Sequence, residues 1–316
     1  MSILIKKTKK SACTYNLKAS SSVGWGGSIP CGAIAVYPNF DAPYDSVEFA
    51  LAVESFQEDT YGSGSQVDGK MGRGTWSALL KRFDHVDDTQ PFWTLNDRRI
   101  NVDIDGGVQT INFDQRGGLD LHRFGHFSSR GGRKPTFIVV HWGGLDPTHC
   151  HRIFSNPDRK VSSHAGIGLS PSGDPTIYQY LDLNHKSWHG GWSNSYSVGI
   201  DICQQPSLKW KNHYIKKGYS ISEEDNSTGR GERKVLTLDP RVALAVREAI
   251  KSLCTVLDIP YQCPRGSEGQ SYEGDFYHGV MDKDYMTRSF TGVVGHHHIT
   301  ANKWDCACWW SQIWEE

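Results

Sequence analysis

With 316 residues, the chain is long enough to fold as two domains with a sizeable core. Its 34 basic and 35 acidic residues give a formal net charge of -1, which excludes the overall basic excess of nucleic-acid-binding proteins. No stretch is apolar over the length that a bilayer-spanning helix needs, so we expect no membrane insertion.

The amino terminus and the cysteines bear on the cellular compartment. Apolar residues at positions 3–5 precede a group of lysines, the reverse of the order in a secretory signal, so we expect no signal peptide. The eight cysteines are expected to be reduced thiols, because a chain of this size without a signal seldom depends on disulfides. The sequence supports no particular pairing.

The first predicted helix begins at Ser46. Residues 1–45 show no clear periodicity and are predicted to be irregular or short strands. From Ser46 onward, apolar residues recur at helical spacing, and the buried face of this helix carries Phe49, Val53 and Phe56. A glycine- and serine-rich turn ends the helix.

A second helix follows an Asp-Gly turn, and Thr75 is predicted to cap it. Together the two helices and the turn resemble the small three-helix peptidoglycan-binding module. The matching motifs are Phe56-Gln57, Val67-Asp68-Gly69 and Gly72 to Leu80. The resemblance implies a cell-wall-binding domain at residues 1–85, and an ordinary helical hairpin is the alternative.

Residues 86–132 are predicted to be a linker with some strand. Side chains alternate between apolar and polar over 100–104 and 108–113, as in half-buried strands. A Gly-Gly-Arg-Lys-Pro run at 131–135 then marks the start of a second domain.

The second domain begins with a continuous apolar run at residues 137–140, typical of a strand buried on both faces. This strand ends at His141. Near the carboxyl terminus, residues 295–308 combine three histidines, a lysine, a carboxylate and two thiols behind another apolar run. Nitrogen, carboxylate and thiolate are the ligands that zinc prefers, so a metal site is the first hypothesis. A solvated histidine loop is the alternative.

Several motifs between these two segments complete a pattern, in a fixed order along the chain. They are His141, Ser163-His164, Trp188-His189, Asn194, Gly199-Ile-Asp201, Gly295-His296 and Lys303-Trp-Asp305. Over residues 133–316 this pattern resembles the zinc N-acetylmuramoyl-L-alanine amidases shared by phage endolysins, bacterial wall amidases and peptidoglycan-recognition proteins. The resemblance implies an α/β fold, with helices packed on a mixed β-sheet and a zinc ion at one end of the sheet.

The same resemblance implies the zinc ligands and the catalytic groups. The ligand positions fall on His141, His296 and Asp305, and Cys306 is a rival third ligand because Cys-Ala-Cys replaces the family's Pro-Gly after the carboxylate. Asp201 is predicted to transfer the proton, although it is one methylene shorter than the family's glutamate. Lys303 is predicted to stabilise the oxyanion.

Four further residues are predicted to contact substrate: His189, His164, Trp188 and Asn194. For His164, packing behind the site is an equal alternative. The cluster His149-Cys-His151 offers competing metal donors, but the prolines at 147 and 157 favour a loop there.

These expectations lead to an enzyme that cuts the bond between N-acetylmuramic acid and L-alanine with a zinc-activated water. We expect a monomer acting on bacterial peptidoglycan, made in the cytoplasm and reaching the wall after release. A phage endolysin fits this description, and an exported antibacterial amidase is an alternative setting. A non-catalytic peptidoglycan-binding protein and a zinc peptidase that cuts cross-links are the alternative functions.

Overall fold

The structure is a computed structural model, and the chain folds into two compact units. One is Met1–Thr89 with Asn96–Arg98, and the other is Gln90–Leu95 with Arg99–Glu316. The residues that the structure describes are 11–17, 37–62, 67–72, 74–76, 78–79, 90–115 and 118–314. Within these ranges, no helix is both long and apolar enough to cross a bilayer.

The first unit is helical, and its longest element is α1 (Val47–Tyr61). Ser46 caps α1 by accepting a hydrogen bond from the backbone N–H of Phe49 at 3.0 Å, and Gly62 ends it with a φ of 74°. The predicted face of α1 is buried, in a cluster whose members are Tyr37, Phe40, Phe49, Ala52, Val53, Phe56, Met71 and Leu79.

Two shorter helical segments lie at 11–17 and at 74–79, where positions 73 and 77 fall outside the described residues. The prediction of irregular structure or strand for residues 1–45 is therefore wrong at 11–17. A 3-10 helix at Pro38–Asp41 also departs from that prediction. Residues 42–45 are irregular, and residues 1–10 and 18–36 lie outside the described residues.

The second unit confirms the predicted α/β class. Its helices and strands are β1 (Phe92–Leu95), β2 (Arg98–Asn101), β3 (Gln109–Asn112), β4 (Phe127–Ser129), β5 (Phe137–Trp142), α2 (Pro147–Phe154), β6 (Ala165–Leu169), β7 (Pro175–Gln179), β8 (His185–Ser187), β9 (Ser197–Ile202), α3 (Lys211–Lys216), β10 (Glu223–Asp225), β11 (Lys234–Leu236), α4 (Pro240–Leu257), α5 (Lys283–Arg288), β12 (Gly292–Gly295) and α6 (Trp310–Trp314).

Six of these strands form one sheet in the order β12-β5-β9-β6-β7-β3. All neighbouring pairs are parallel except β6 and β7. The edge strand β3 lies inside residues 86–132, so this part of the predicted linker belongs to the sheet. Alternation predicted a strand there, but local sequence does not say which sheet a strand joins.

Both faces of the sheet are covered, as the apolar run in β5 predicts. Ile138 and Val140 belong to the buried cluster that includes Val246 of α4. Phe137 and Val139 point the other way, into a cluster with Met286 of α5. The sheet is therefore a rigid base for residues at its ends.

Candidate metal and active site

Three parallel strands bring the predicted site together at one edge of the sheet. In the register of β5 and β9, His141 lies opposite Asp201. In the register of β12 and β5, Gly295 lies opposite Val140, so His296 follows directly beside His141. The carboxyl ends of parallel strands meet at one edge, which is where α/β sheets place their sites.

Three donor atoms converge there. His141 Nδ1 lies 3.0 Å from His296 Nδ1, and Asp305 Oδ2 lies 3.1 Å from His296 Nδ1 and 3.6 Å from His141 Nδ1. All three residues are buried. Tetrahedral zinc with bonds of about 2.0–2.1 Å separates its ligand atoms by about 3.3 Å. The spacing of this triangle therefore fits a zinc ion.

The protonation states of the cluster also fit a metal. Burial, followed by the charge of His296, lowers the pKa of His141 to about 4, so this imidazole is neutral near pH 7. Burial opposes ionisation of Asp305, but hydrogen bonds with His141 and His296 hold its pKa below the usual value. Neutral imidazole and carboxylate are the forms that bind zinc.

His189 supports His141 from the side. His141 Nε2 lies 2.9 Å from His189 Nδ1, and His189 Nε2 lies 3.2 Å from Ser197 Oγ. When Nδ1 of His141 is free for a metal, its Nε2–H donates to His189. Such hydrogen bonds orient a metal-binding histidine and fix its tautomer. His189 also lines the cavity, where a substrate contact was predicted.

Cys306, the rival third ligand, points away from the donor cluster. Its Sγ lies 3.3 Å from the carbonyl oxygen of Val140, and the side chain is buried in the main hydrophobic cluster. Asp305 is the third donor among the described residues.

The two histidines after His296 turn away as well, because residues 296–298 form a 3-10 helix rather than an extended segment. His297 Nδ1 lies 3.0 Å from the carbonyl oxygen of Asp305. His298 accepts from the N–H of Gly295 at 2.9 Å. Both therefore fasten the loop that carries the predicted ligands.

Asp201, the predicted proton-transfer group, is buried beside the cluster and lines the same cavity. Burial raises its pKa to about 7, against a hydrogen bond with Ser163 that favours the ionised form. The charge of Asp305 raises it further. A carboxyl group in this state exchanges protons near neutral pH.

The cavity over the cluster has a volume of about 310 Å³. Lys303 and Trp188, for which an oxyanion contact and a substrate contact were predicted, both line this cavity. Lys303 is exposed, so its ammonium is accessible to a bound substrate. Trp142 and Arg159 also line the cavity and were not predicted. For Arg159 the sequence carries no signal, since a lone arginine in a polar loop resembles any surface residue.

His164 lies away from the cavity, and substrate contact was one of its two predicted roles. Its ring is fully buried and does not line the cavity. Nδ1 accepts from the N–H of Gly199 at 3.0 Å, and Nε2 lies 2.9 Å from the carbonyl oxygen of His185. The alternative role, packing behind the site, matches this placement.

Asn194 also does not line the cavity. Its Oδ1 accepts from the backbone N–H groups of His189 and Gly190, at 3.1 and 2.6 Å. It therefore fixes the turn that presents His189.

Arg130 is a second residue that the sequence did not indicate, because it falls in the predicted linker. The side chain is buried and donates to the carbonyl oxygens of Leu183, Asn194 and Ser197 at 3.3, 3.3 and 2.7 Å. Arg130 thus also stabilises the turn that presents His189.

The competing donor cluster at 149–151 lies in α2, so the predicted loop is wrong there. Pro147 occupies the first turn of this helix, where proline is tolerated. His149 Nδ1 accepts from the N–H of Leu145 at 3.0 Å. His151 Nε2 lies 2.9 Å from the carbonyl oxygen of Asp120. These histidines serve the local structure.

Comparison with known proteins gives one family and several solved structures. Residues 131–307 match the family described as N-acetylmuramoyl-L-alanine amidase. The structure of PlyL is 12% identical over 65% of this chain and 89% of its own, with a TM-score of 0.34. A mutant endolysin from Bacillus subtilis is 21% identical over 64% and 92%, with a TM-score of 0.31. The catalytic domain of XlyA is 19% identical over 61% and 86%, with a TM-score of 0.28. The curated proteins yield no match.

Proposed function

Because this chain belongs to the N-acetylmuramoyl-L-alanine amidase family, we propose that it hydrolyses the amide bond between N-acetylmuramic acid and L-alanine in peptidoglycan. The family match, residues 131–307, includes every residue of the donor cluster and Asp201. The observation that carries the proposal is the meeting of these groups around one cavity.

We propose zinc as the cofactor, with His141, His296 and Asp305 as its protein ligands. Catalytic zinc sites use three ligands from the protein, which leaves the fourth coordination position for water or substrate. When bound, zinc polarises a carbonyl oxygen and lowers the pKa of water to about 7.

Asp201 then moves the proton. Its carboxylate accepts a proton from the water that attacks the carbonyl carbon, and it returns this proton to the nitrogen of L-alanine as the C–N bond breaks. Burial raises the pKa of Asp201 to about 7 in the metal-free site. The charge of a bound zinc ion would favour the carboxylate form, which is the form that accepts this proton. The ammonium of Lys303 at the cavity stabilises the negative oxygen that forms in between.

We further propose a division of labour along the chain, with cell-wall binding in residues 1–85 and catalysis in residues 133–316. Cutting this amide separates the stem peptides from the glycan strands and weakens the wall. We therefore propose a bacteriolytic role, in the setting of a phage endolysin or of an exported effector.

Mass spectrometry of digested sacculi tests the proposal. We expect released stem peptides that begin with L-alanine, and glycan strands that have lost their peptides. New amino termini inside the stem peptides or cross-bridges would show a peptidase, and new reducing sugar ends would show a glycosidase. Either result would overturn the proposed function.

A further inference from the structure

The first unit carries a groove of about 580 Å³ that the catalytic chemistry does not use. We call it the Tyr15–Tyr61 groove. Its lining includes Tyr15, Tyr61, Asp68, Lys70, Gly72 and Gly74.

Two buried amide side chains hold the backbone turn at residues 68–71, which supplies part of the lining of this groove. Oε1 of Gln57 accepts from the N–H groups of Asp68 and Gly69 at 3.1 and 2.9 Å. Oδ1 of Asn16 accepts from the N–H of Met71 at 2.7 Å. Both amides are at most 2% exposed. A turn that is fixed from two helices is already ordered before a ligand arrives, which lowers the entropy lost on binding.

The sides of the groove are two exposed tyrosines. Tyr15 is 39% exposed and Tyr61 is 40% exposed. The hydroxyl of Tyr61 lies 3.4 Å from the carbonyl oxygen of Gly74. An aromatic ring offers a flat apolar face together with a polar edge, and exposed rings of this kind are enriched at binding sites.

The lining also contains one ion pair. Lys70 Nζ is 3.6 Å from Asp68 Oδ2, and both side chains are more than a third exposed. Such a pair contributes little to folding. Oδ1 of Asp68 already accepts from Nε2 of Gln57 and from the N–H of Lys70, so Oδ2 and the Lys70 ammonium are the groups that a ligand can use. Lys70 Nζ also lies 5.9 Å from the centre of the Tyr15 ring.

We propose that the Tyr15–Tyr61 groove binds the glycan strand of peptidoglycan. The tyrosine faces match the apolar faces of the sugar rings, and the carboxylate and ammonium match hydroxyl and acetamido groups. One acid and one base leave the groove without net charge, which favours uncharged N-acetylated sugars over the charged stem peptide. The inference rests on the proposed function, since it names the wall component that the first unit recognises.

Binding of the full-length chain to purified sacculi tests the proposal, in an Asp201→Asn background that leaves the wall intact. Tyr61→Ala removes one stacking face and should weaken binding about fivefold. Gly74→Leu should weaken it about tenfold, since a Cβ at this position meets no atom within 4 Å and the larger side chain extends into open space. Leu51→Ala is the matched control, because Leu51 is also exposed on α1 but does not line the groove.

A soluble competitor identifies the component that is bound. Chitotetraose should displace the chain from sacculi, and this competition should weaken in both groove variants. Displacement by free stem peptide instead of chitotetraose would overturn the glycan assignment. If both variants bound sacculi like the parent and also unfolded at the same temperature, the groove would have no role in binding.

Hydrolysis of a soluble muramoyl-L-alanyl dipeptide separates this inference from the proposed function. With Asp201 intact, both groove variants should cleave the dipeptide at the parent rate. If the parent does not cleave it, the amidase proposal fails, whereas the binding measurements still decide what the groove recognises.

Discussion

At the scale of single residues, the proton transfer that we propose for Asp201 depends on the burial of its carboxyl group. Asp201 is 5% exposed, and burial holds its pKa at about 7. Asn cannot accept a proton at this position, so Asp201→Asn should lower the rate of muramoyl-L-alanine hydrolysis by about 10²–10⁴-fold. Asp201→Glu should keep part of the rate, and both variants should bind zinc like the parent. A rate for Asp201→Asn within about threefold of the parent would contradict the assigned role.

The third metal ligand gives a second prediction at this scale. Asp305→Ala removes a donor and should reduce the zinc content of the purified protein together with its activity. Cys306→Ala should keep one zinc per chain, because its thiol faces Val140 rather than the donor cluster. Loss of zinc in the cysteine variant but not in the aspartate variant would reverse the assignment. Elemental analysis of both proteins distinguishes the two outcomes.

Some residues of the site were predictable and others were not. The sequence shows that His141 and His296 follow apolar runs and that Asp305 comes soon after His296. Parallel strands then bring the residues at their carboxyl ends together. The groups around the His164 ring are 21 to 35 residues away in sequence, so no local pattern shows that backbone groups, Ser187 and Arg130 surround it. The sequence shows which residues have side chains suited to catalysis or metal binding, whereas the hydrogen-bond partners of these side chains depend on the fold.

At the scale of secondary-structure elements, His164 directly precedes β6, and its side chain links this strand to β8 and β9. Burial, followed by the nearby charge of Arg130, lowers its pKa to about 3, from an ordinary value of 6.5. The unfolded chain therefore takes up a proton below about pH 6.5, whereas the folded chain does so only below about pH 3. The stability that this neutral ring contributes is present above pH 6.5 and is lost as the pH falls through this window.

Denaturant unfolding as a function of pH measures this effect. For one such group, the free energy of unfolding falls by about 1.4 kcal/mol per pH unit between pH 6 and 4. His164→Asn should be less stable at pH 7 and should show a pH slope smaller by that amount. Parallel curves for the variant and the parent would contradict the buried neutral state.

Helices and strands were predicted best where the pattern of apolar residues shows which face of the segment is buried. The apolar run of β5 and the helical pattern of α1 are both found, and Ser46 caps α1 by accepting from the N–H of Phe49. The helix at 11–17 was missed because its short apolar pattern shows no helical period. The strand predicted at 108–113 is found as β3, whereas its pairing with β7 is a long-range property that local sequence does not show.

At the scale of the whole molecule, the division into two units predicts separable activities. A chain that begins at Gln90 retains the six-stranded sheet and the whole donor cluster. It should therefore cleave a soluble muramoyl-L-alanyl dipeptide at the rate of the full chain. On sacculi it should be slower, since the unit proposed to bind the wall is missing. If the shortened chain and the full chain cleaved sacculi at the same rate, as well as the dipeptide, the first unit would have no role in wall binding.

We propose that His141, His296 and Asp305 hold a zinc ion on which amide hydrolysis depends. The most direct test adds zinc back to chelator-treated protein and follows bound metal and hydrolysis of the muramoyl dipeptide in the same sample. We predict that the rate rises in proportion to bound zinc up to one ion per chain, and that His141→Ala recovers neither zinc nor activity. Full hydrolysis by the metal-free protein would contradict the claim.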